Sequence, residues 1–501
     1  DISKFSSEGL RTLVVACKQV AADVFQAWEI KYMAALDILD NSHDEEVAAL
    51  QAEMEAGLRL CGITAVEDRL QDGVPQTIDV VKQMGVRVWV LTGDKTETAV
   101  DIARSCCLFK ETTTVAYAVK AETNEQALNV LTEAQGKLSK VEDNGLVLDG
   151  QTLQFALSDP EGRRLIYELG IASRACVCSR MSPMQKLQVV QLVRQQNPKA
   201  ITLSIGDGAN DVPMILGAHL GIAVRGKEGT QSVQASDIAI SQFRFLQPLL
   251  VCHGRRAYRR VATFLCFYLY KNILLLTADV IWMLQDSFRG RIAFPEYLSI
   301  GFNVCFSSWH ILFVLGFDKD LPDSVALASP SLYHCGPRRA LFNARVFSSW
   351  VILAIYHGAI AWGVPALMFG TSEYDKVTPS LYWVQSATAF TNVNMIVCLK
   401  LVLVAQNPFA AHTLLPTAGA LMLYFLCLLV IGYSSLGNAL QPCMEGIPEK
   451  LFISSAWAGN KPLLALLITP IIGLLFDFVR GITSKHLSPT PLEAAQQRLA
   501  K

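Results

Sequence analysis

Three short segments of the sequence combine residue types that suit phosphoryl-group chemistry. Thr-Gly-Asp at 92–94 and Gly-Asp-Gly-Ala-Asn-Asp at 206–211 each follow an apolar run, and Lys186 follows Ser182-Pro183. Carboxylates suit a hard cation such as Mg²⁺, glycines allow close backbone approach, and a lysine can neutralise a transferring phosphoryl group. Together these segments indicate one site, although a lone Thr-Gly-Asp is more often an ordinary turn and a lone Lys186 more often a solvated helix residue.

The elements that must position these segments alternate between strands and helices over residues 62–240. We predict strands at 85–91, 146–148, 175–178, 201–205 and 221–224, with helices near 96–107, 182–196 and 211–217. This alternation predicts an α/β, Rossmann-type, doubly wound parallel sheet. Its polar segments then lie at the carboxyl ends of strands, where such sheets bind ligands.

The second half of the chain has the composition of a membrane domain. Hydrophobic residues make up 51% of the sequence, and six apolar runs of spanning length lie near 261–284, 297–317, 346–369, 382–404, 412–435 and 462–480. Arginines precede the first and third runs, so the positive-inside bias places the large polar domain in the cytosol. We predict a multi-pass protein of the plasma membrane or an endomembrane.

Other function classes find no support in the composition. A formal net charge of −1 gives no basic surface for nucleic acid, and the 13 cysteines show neither a zinc spacing nor a disulfide framework. The chain begins at Asp1 without an initiator Met or a signal pattern, and we expect it to be a fragment.

With these motifs, the sequence resembles the P-type ATPases, with their haloacid-dehalogenase-like phosphorylation domain, and among them the type IV phospholipid flippases. The segments that carry the resemblance run in the family's order at 8–13, 67–75, 92–99, 206–214, 241–246 and 270–272. The resemblance implies ATP and Mg²⁺ as cofactors, a phospholipid substrate in the membrane and a two-span accessory subunit.

The resemblance also implies individual roles. Lys186, Thr92 and Asp207 would be catalytic, with Lys186 facing an aspartyl phosphate and Asp207 binding Mg²⁺ together with Asp211. The nucleotide-binding residues would be Arg11, Thr92, Gly93, Asp94, Arg180, Lys186, Asn210 and Asp211.

Polar residues inside the apolar runs suggest a lipid path. A lysine near mid-membrane costs roughly 2.5–3.5 kcal/mol on insertion scales, so Lys271 suggests a functional role. In flippases, this Lys-Asn pair and an asparagine of the next span face the lipid head group, which makes Lys271, Asn272 and Asn303 our candidates. Interhelical hydrogen bonding is the alternative for the asparagines. We expect Lys400, near a cytosolic end, to snorkel to the interface.

The sequence departs from the family in lacking the Asp-Lys-Thr-Gly-Thr motif that holds the phosphorylated aspartate. We therefore expect the chain alone to be inactive. The expected layout is the end of a nucleotide-binding domain at 1–60, the phosphorylation domain at 61–255, six transmembrane helices at 256–484 and a cytosolic tail at 485–501.

The leading hypothesis is ATP-driven flipping of phospholipid from the exoplasmic to the cytosolic leaflet. A non-catalytic membrane scaffold or regulatory module of a larger fusion protein is the alternative. A cation-transporting P-type ATPase is disfavoured, because the predicted spans offer only Asp279, near the exoplasmic end, besides the flanking Asp318 and Asp477.

Overall fold

The computed structural model divides into two compact units, one of residues 1–79 and 87–244 and one of residues 80–86 and 245–501. It describes residues 11–36, 43–66, 70–139, 143–226, 230–370, 379–433, 447–452, 460–487 and 489–500.

The first unit is an α/β unit of nine strands and ten helices in its described part. The strands are β1 Arg11–Cys17, β2 Arg59–Val66, β3 Val88–Leu91, β4 Thr114–Ala118, β5 Asn144–Asp149, β6 Ala175–Ser179, β7 Leu203–Gly206, β8 Leu220–Val224 and β9 Ile238–Ile240. The helices are α1 Ala22–Leu36, α2 His43–Glu55, α3 Val74–Gln83 (which ends in the second unit), α4 Thr96–Ser105, α5 Asn124–Leu138, α6 Gly150–Ser158, α7 Pro160–Ala172, α8 Pro183–Gln196, α9 Val212–Gly217 and α10 Gln231–Ala235.

The strands form two parallel sheets and a separate antiparallel pair. One parallel sheet has the order β3-β6-β5-β4, the other has the order β7-β8-β9, and β1 pairs with β2. The predicted parallel α/β architecture is thus confirmed, with β3 and β7 each at the edge of its sheet. The strand expected at 201–205 begins two residues late, because Ile201 is 75% exposed and lies outside the sheet.

Local sequence explains where the elements at the sheet edge begin and end. Strand β6 is buried throughout, and Ser182 ends the turn after it by capping α8. Ser182 and Gln185 form a capping box, and Pro183 occupies the first turn, where its missing N–H costs nothing. Helix α8 therefore starts at a fixed residue, which places Lys186 on its first turn.

The described residues from 243 onward contain six helices long and apolar enough to cross a membrane, which confirms the predicted count. We number them span 1 Phe243–Gln285, span 2 Glu296–Phe317, span 3 Ala344–Phe369, span 4 Tyr382–Val404, span 5 Ala411–Tyr433 and span 6 Lys461–Leu487. Within span 1, a 3₁₀ turn Phe243–Phe245, a helical turn Leu246–Pro248 and a π-helix Leu249–Gly254 precede the α-helix Arg255–Gln285. The helix containing span 4 begins at Pro379, and shorter helices are Asp323–Leu327, the 3₁₀ helix Pro330–Cys335, Ile447–Phe452 and Pro491–Ala500.

Arginines at the start of span 1 bind aspartates of the loop after span 2. Arg255 binds Asp320 through both terminal nitrogens, and Arg259 lies 2.8 Å from Asp318. Burial raises the pKa of Asp320, but the hydrogen bond and charge of Arg255 outweigh it and leave that pKa below its ordinary value. The carboxylate therefore stays ionised at neutral pH and ties this loop to span 1.

Lys400 does not snorkel to the interface as expected. It is buried in span 4 and lies 2.5 Å from the carboxylate of Asp477 in span 6. His357 of span 3 lies 3.4 Å from the same carboxylate and accepts a hydrogen bond of 2.6 Å from Tyr270 of span 1. A charge in hydrocarbon is stabilised when it is paired, and this pairing holds four spans together.

Candidate phosphoryl-transfer and membrane sites

The Thr-Gly-Asp segment forms a tight turn at the carboxyl end of β3. Thr92 donates a hydrogen bond of 3.0 Å from its hydroxyl to the Asp94 carboxylate, and the Asp94 backbone N–H bonds back to that hydroxyl. The backbone N–H of Arg180 donates to the Asp94 carbonyl oxygen over 2.9 Å. Thr92, Asp94 and Arg180 are thus brought together where β3 and β6 end.

Lys186 reaches from α8 to the second parallel sheet. Its ammonium nitrogen lies 2.8 Å from Oδ1 of Asp211, and only 8% of the lysine is exposed. Helices α8 and α9 also meet, since Arg194 donates to the carbonyl oxygen of Gly217 over 2.5 Å. The contact between Lys186 and Asp211 therefore joins the polar edges of the two sheets.

Glycine at 206 is required by the position of Asp211. A Cβ atom on Gly206 would lie 2.4 Å from the Cβ of Asp211 and 2.6 Å from its Oδ2. The Asp211 carboxylate lies close to the end of β7, in the same turn as the exposed Asp207 and Asn210. The Asp207 carbonyl oxygen accepts a 2.8 Å hydrogen bond from Ser232, which fixes the backbone of this turn.

The donor set at this edge fits Mg²⁺ and phosphate. Mg²⁺ is usually held by one or two protein carboxylates, with waters and substrate phosphates completing its octahedron. Asp207 and Asp211 can supply the two carboxylates, and no group of three metal-binding side chains occurs among the described residues. Lys186 offers a cation beside them for a phosphate oxygen.

A polar cleft of about 310 Å³ lies beside the Thr92 turn. Its walls include Arg180, Lys120, Asp149 and Thr96, with Tyr117 at one side. Arg180 and Lys120 both have positive φ values, 51° and 64°, which few residues other than glycine adopt. The lining contains three cationic side chains and three carboxylates in all, so the cleft offers cations at the carboxyl edge of the sheet but carries no net charge.

Arg11, another predicted nucleotide-binding residue, does not belong to a strand of the two parallel sheets. It begins β1, opposite Val66 in the separate two-stranded sheet, and its side chain lies outside the described residues. The flanking segments 8–10 and 67–69 lie outside them as well.

Within the membrane unit, Lys271 is buried and bonded to span 2. Its ammonium donates to Asn303 Oδ1 at 2.7 Å, Ser307 Oγ at 2.8 Å and Ser308 Oγ at 3.3 Å. The three acceptors satisfy the lysine without a counter-carboxylate. Lys271 and Asn303, two of the residues proposed for the lipid path, are thus brought together, and two serines of span 2 complete the cluster.

Span 2 changes its helical form at this cluster. A π-helix runs over Phe302–Phe306, the backbone breaks at Ser307 with a φ of −133°, and an α-helix resumes at Ser308–Phe317. Such π segments often mark functional sites. Asn272, one residue beyond Lys271, is not part of the cluster because its side chain bonds to the Tyr268 carbonyl oxygen of its own helix.

Two asparagines of span 4 are buried without partners. Neither Asn392 nor Asn394 has a hydrogen-bond partner for its amide nitrogen or oxygen among the described residues, although both are fully buried. They lie two residues apart, so they face different sides of their helix. We assign them no role in the lipid path.

Comparisons with known proteins agree with both units. The family described as "Phospholipid-translocating P-type ATPase C-terminal" matches residues 233–490, and the family described as "haloacid dehalogenase-like hydrolase" matches residues 6–141. Phospholipid-transporting ATPase DRS2 of Saccharomyces cerevisiae is 30% identical over 99% of the chain and 36% of its own length. Phospholipid-transporting ATPase ID of Homo sapiens is 35% identical over 75% of the chain and 33% of its own length.

Phospholipid-transporting ATPase dnf1 of Schizosaccharomyces pombe is 30% identical over 98% of the chain and 32% of its own length. The chain therefore spans about one third of the length of these three relatives.

Proposed function

Because the chain belongs to the phospholipid-translocating P-type ATPases, we propose that it supplies part of the phosphorylation site and half of the transport path of an ATP-driven phospholipid flippase. In that protein, ATP phosphorylates an aspartate outside this chain, and lipid crosses from the exoplasmic to the cytosolic leaflet. The contact of 2.8 Å between Lys186 and Asp211 carries the proposal, because it brings a cation and a carboxylate together where the polar edges of the two parallel sheets meet, in the same turn as Asp207.

The sheet topology supports an aspartate supplied from elsewhere. Strands β3 and β7 each form the edge of a parallel sheet, and helices α8 and α9 hold these sheets side by side. An additional strand between β3 and β7 would end between Thr92 and Asp207. An aspartate at the end of that strand would lie within the proposed site.

Each residue of the site then has a physical task. Mg²⁺ would supply positive charge to the phosphate oxygens, held by Asp207 and Asp211. Lys186 would exchange its contact with Asp211 for a phosphoryl oxygen, and the Thr92 hydroxyl would donate a hydrogen bond there. Gly93 and Asp94 would hold the nucleotide from the turn after β3 and Arg180 from the turn after β6, with Asn210 on the opposite side. Arg11 would also bind the nucleotide.

Lys271 and Asn303 would form the polar part of the lipid path. The buried ammonium and the amide can hydrogen-bond a phosphodiester head group, and the π-helix of span 2 leaves room to rearrange. Asn272 would join them only after leaving the Tyr268 carbonyl oxygen. We propose a two-span accessory subunit for the intact protein by analogy with the family.

We propose the same domain layout for this function: the end of a nucleotide-binding domain at 1–60, the phosphorylation domain at 61–255, the transmembrane domain at 256–484 and a cytosolic tail at 485–501. Without the phosphorylated aspartate, the 501-residue chain alone would not turn over ATP.

A non-catalytic scaffold is the second candidate, and the missing Asp-Lys-Thr-Gly-Thr motif favours it. The buried Lys186–Asp211 pair opposes it, because a scaffold has no need of a partly desolvated ion pair at a sheet edge.

Phosphoenzyme formation tests the proposal. Radiolabelled ATP and Mg²⁺ are given to the full-length protein that contains this chain, to its Asp207→Asn variant and to the 501-residue chain. We expect an acid-stable label on the full-length protein only. A full-length protein that folds, binds lipid vesicles and acquires no label would support the scaffold instead.

A further inference from the structure

A cleft in the membrane unit lies at the turn between spans 1 and 2. It has a volume of about 560 Å³ and is lined by the last two turns of span 1, the connecting loop and the first turns of span 2. It lies at the opposite end of span 1 from the arginines Arg255 and Arg259. It does not include Lys271 or Asn303.

Acidic side chains outnumber cationic ones in the lining of this cleft. Asp279, Asp286 and Glu296 contribute three carboxylates, and Arg291 is the one cationic residue of the lining. Asp279 and Asp286 stand seven residues apart, on the same face of the span 1 helix. Their charges therefore add in the same space, and the lining carries a net negative charge.

Asp286 has an unused hydrogen-bonding atom. The residue is 5% exposed, and its Oδ2 has no hydrogen-bond partner among the described residues. Its Oδ1 lies 3.6 Å from Nε of Arg291, whose side chain is half exposed. A buried carboxylate oxygen without a partner is costly, so a ligand that supplies positive charge would be stabilised there.

The rest of the lining is apolar. Trp282 and Phe294 are buried in its walls, and the exposed Phe288 stands at its rim. Of these rings only Phe288 is exposed, so it is the one that can attract an organic ammonium group and pack against its methyl groups. A small inorganic cation would instead require several oxygen ligands, and no group of three metal-binding side chains occurs in the described part of the chain.

The loop that closes the cleft is held in place by span 4. Tyr382 donates to the carbonyl oxygen of Ile292, and Ser386 donates to that of Ala293. The Trp282 indole N–H donates to the carbonyl oxygen of Arg291 over 3.3 Å. The cleft is therefore preformed, which lowers the entropy lost when a ligand binds.

We propose that this cleft binds an organic ammonium group, held by Asp279 and Asp286 beside the ring of Phe288. The ammonium can come from a phospholipid head group at the membrane surface or from a soluble amine. The lipid source rests on the proposed function, because lipid would then wait there before transport. Binding itself does not depend on ATP, so it can be tested separately from phosphoenzyme formation.

Photolabelling in nonionic maltoside micelles tests the proposal. The probes are a photoreactive lysophosphatidylcholine and a photoreactive lysophosphatidylglycerol, which lacks the ammonium, and labelled peptides are identified by mass spectrometry. We expect the choline probe alone to label residues 279–300, and Asp279→Asn to reduce that labelling about tenfold, a loss of one nearby charge. Asp323→Asn, which removes an equal charge outside the cleft, should leave it unchanged.

Arg291→Gln separates binding from folding. Removing the only cation of the lining should increase labelling by the choline probe, whereas a variant that merely disturbs the loop would decrease it. Competition by tetramethylammonium would identify a soluble amine as sufficient, and competition only by tailed choline compounds would identify a lipid. Equal labelling by both probes, or loss of labelling in both Asp279→Asn and Arg291→Gln, would overturn the proposal.

Discussion

Lys186 and Asp211 form an ion pair whose surroundings explain the glycine at position 206. The pair is mostly buried, so it is stabilised only if both charges keep their positions. Gly206 makes room for the Asp211 carboxylate, which would collide with a Cβ atom there. The spacing Gly-Asp-Gly-x-x-Asp is therefore a steric requirement of the folded turn as well as a chemical one.

Gly206→Ala should open this turn. The added Cβ would displace Asp211 and break its contact with Lys186, so the local free energy of unfolding should fall by about 1–3 kcal/mol. Hydrogen exchange of peptides covering residues 203–217, measured by mass spectrometry, reports that loss as faster exchange.

Gly208→Ala is the matched control for that experiment. Gly208 has a φ of −103°, and the nearest atom to an added Cβ is 3.9 Å away. The local free energy of unfolding derived from hydrogen exchange of this variant should therefore change by less than about 1 kcal/mol. Equal exchange in the two variants would mean that Asp211 does not occupy the position described.

Among the elements, spans 4 and 6 are joined by the pair Lys400–Asp477. Both side chains are nearly inaccessible to solvent, and the partners are 77 positions apart in the chain. The pair also contacts His357, which connects it through Tyr270 to span 1. Replacing either residue of the pair would therefore affect the packing of several spans.

Lys400→Met should destabilise the membrane unit strongly. It leaves the Asp477 charge buried without a cation, which costs about 3–5 kcal/mol in comparable pairs. The melting temperature in maltoside micelles should fall, whereas Lys485→Met, at an exposed position on span 6, should leave it unchanged. The double variant Lys400→Met/Asp477→Leu should recover most of the loss, and a double variant as unstable as the single one would contradict a direct pair.

Sequence patterns predicted the elements that are long, uniformly apolar or bounded by clear signals. All six spans and the central strands β5 and β6 belong to this class. Strand β4 was missed because Thr114–Ala118 is short and alanine-rich, and β9 because it has three residues. Strong capping signals at Ser182 and Pro183 made the position of Lys186 predictable.

Pairings between distant segments could not be predicted from the sequence. The partner of Lys400 depends on the relative rotation of two helices, which no local pattern encodes. Asn272 differs, because its position about 100° around the helix from Lys271 follows from helical periodicity, and its side chain bonds to the backbone of its own helix. The sequence motifs identified the residues whose chemistry suits the proposed sites. The fold determined which of those residues contact one another.

On the scale of the whole molecule, the chain combines a hydrolase-like unit with six spans. Both units have a polar centre built from buried lysines, Lys186 in the first and Lys271 in the second. Lys186 is paired with a carboxylate and Lys271 with neutral oxygens. This difference supports the proposal of a metal-assisted phosphoryl site in one unit and of a path for an anionic phosphodiester in the other.

ATP-dependent lipid movement tests the central claim most directly. The full-length protein that contains this chain is reconstituted into vesicles with fluorescent phospholipids, and the fraction of lipid in each leaflet is measured after ATP and Mg²⁺ are added. We predict ATP-dependent translocation by the wild type and none by Asp207→Asn, which loses a proposed Mg²⁺ ligand. Movement of cations without lipid, or equal lipid movement by the wild type and Asp207→Asn, would contradict the proposed function.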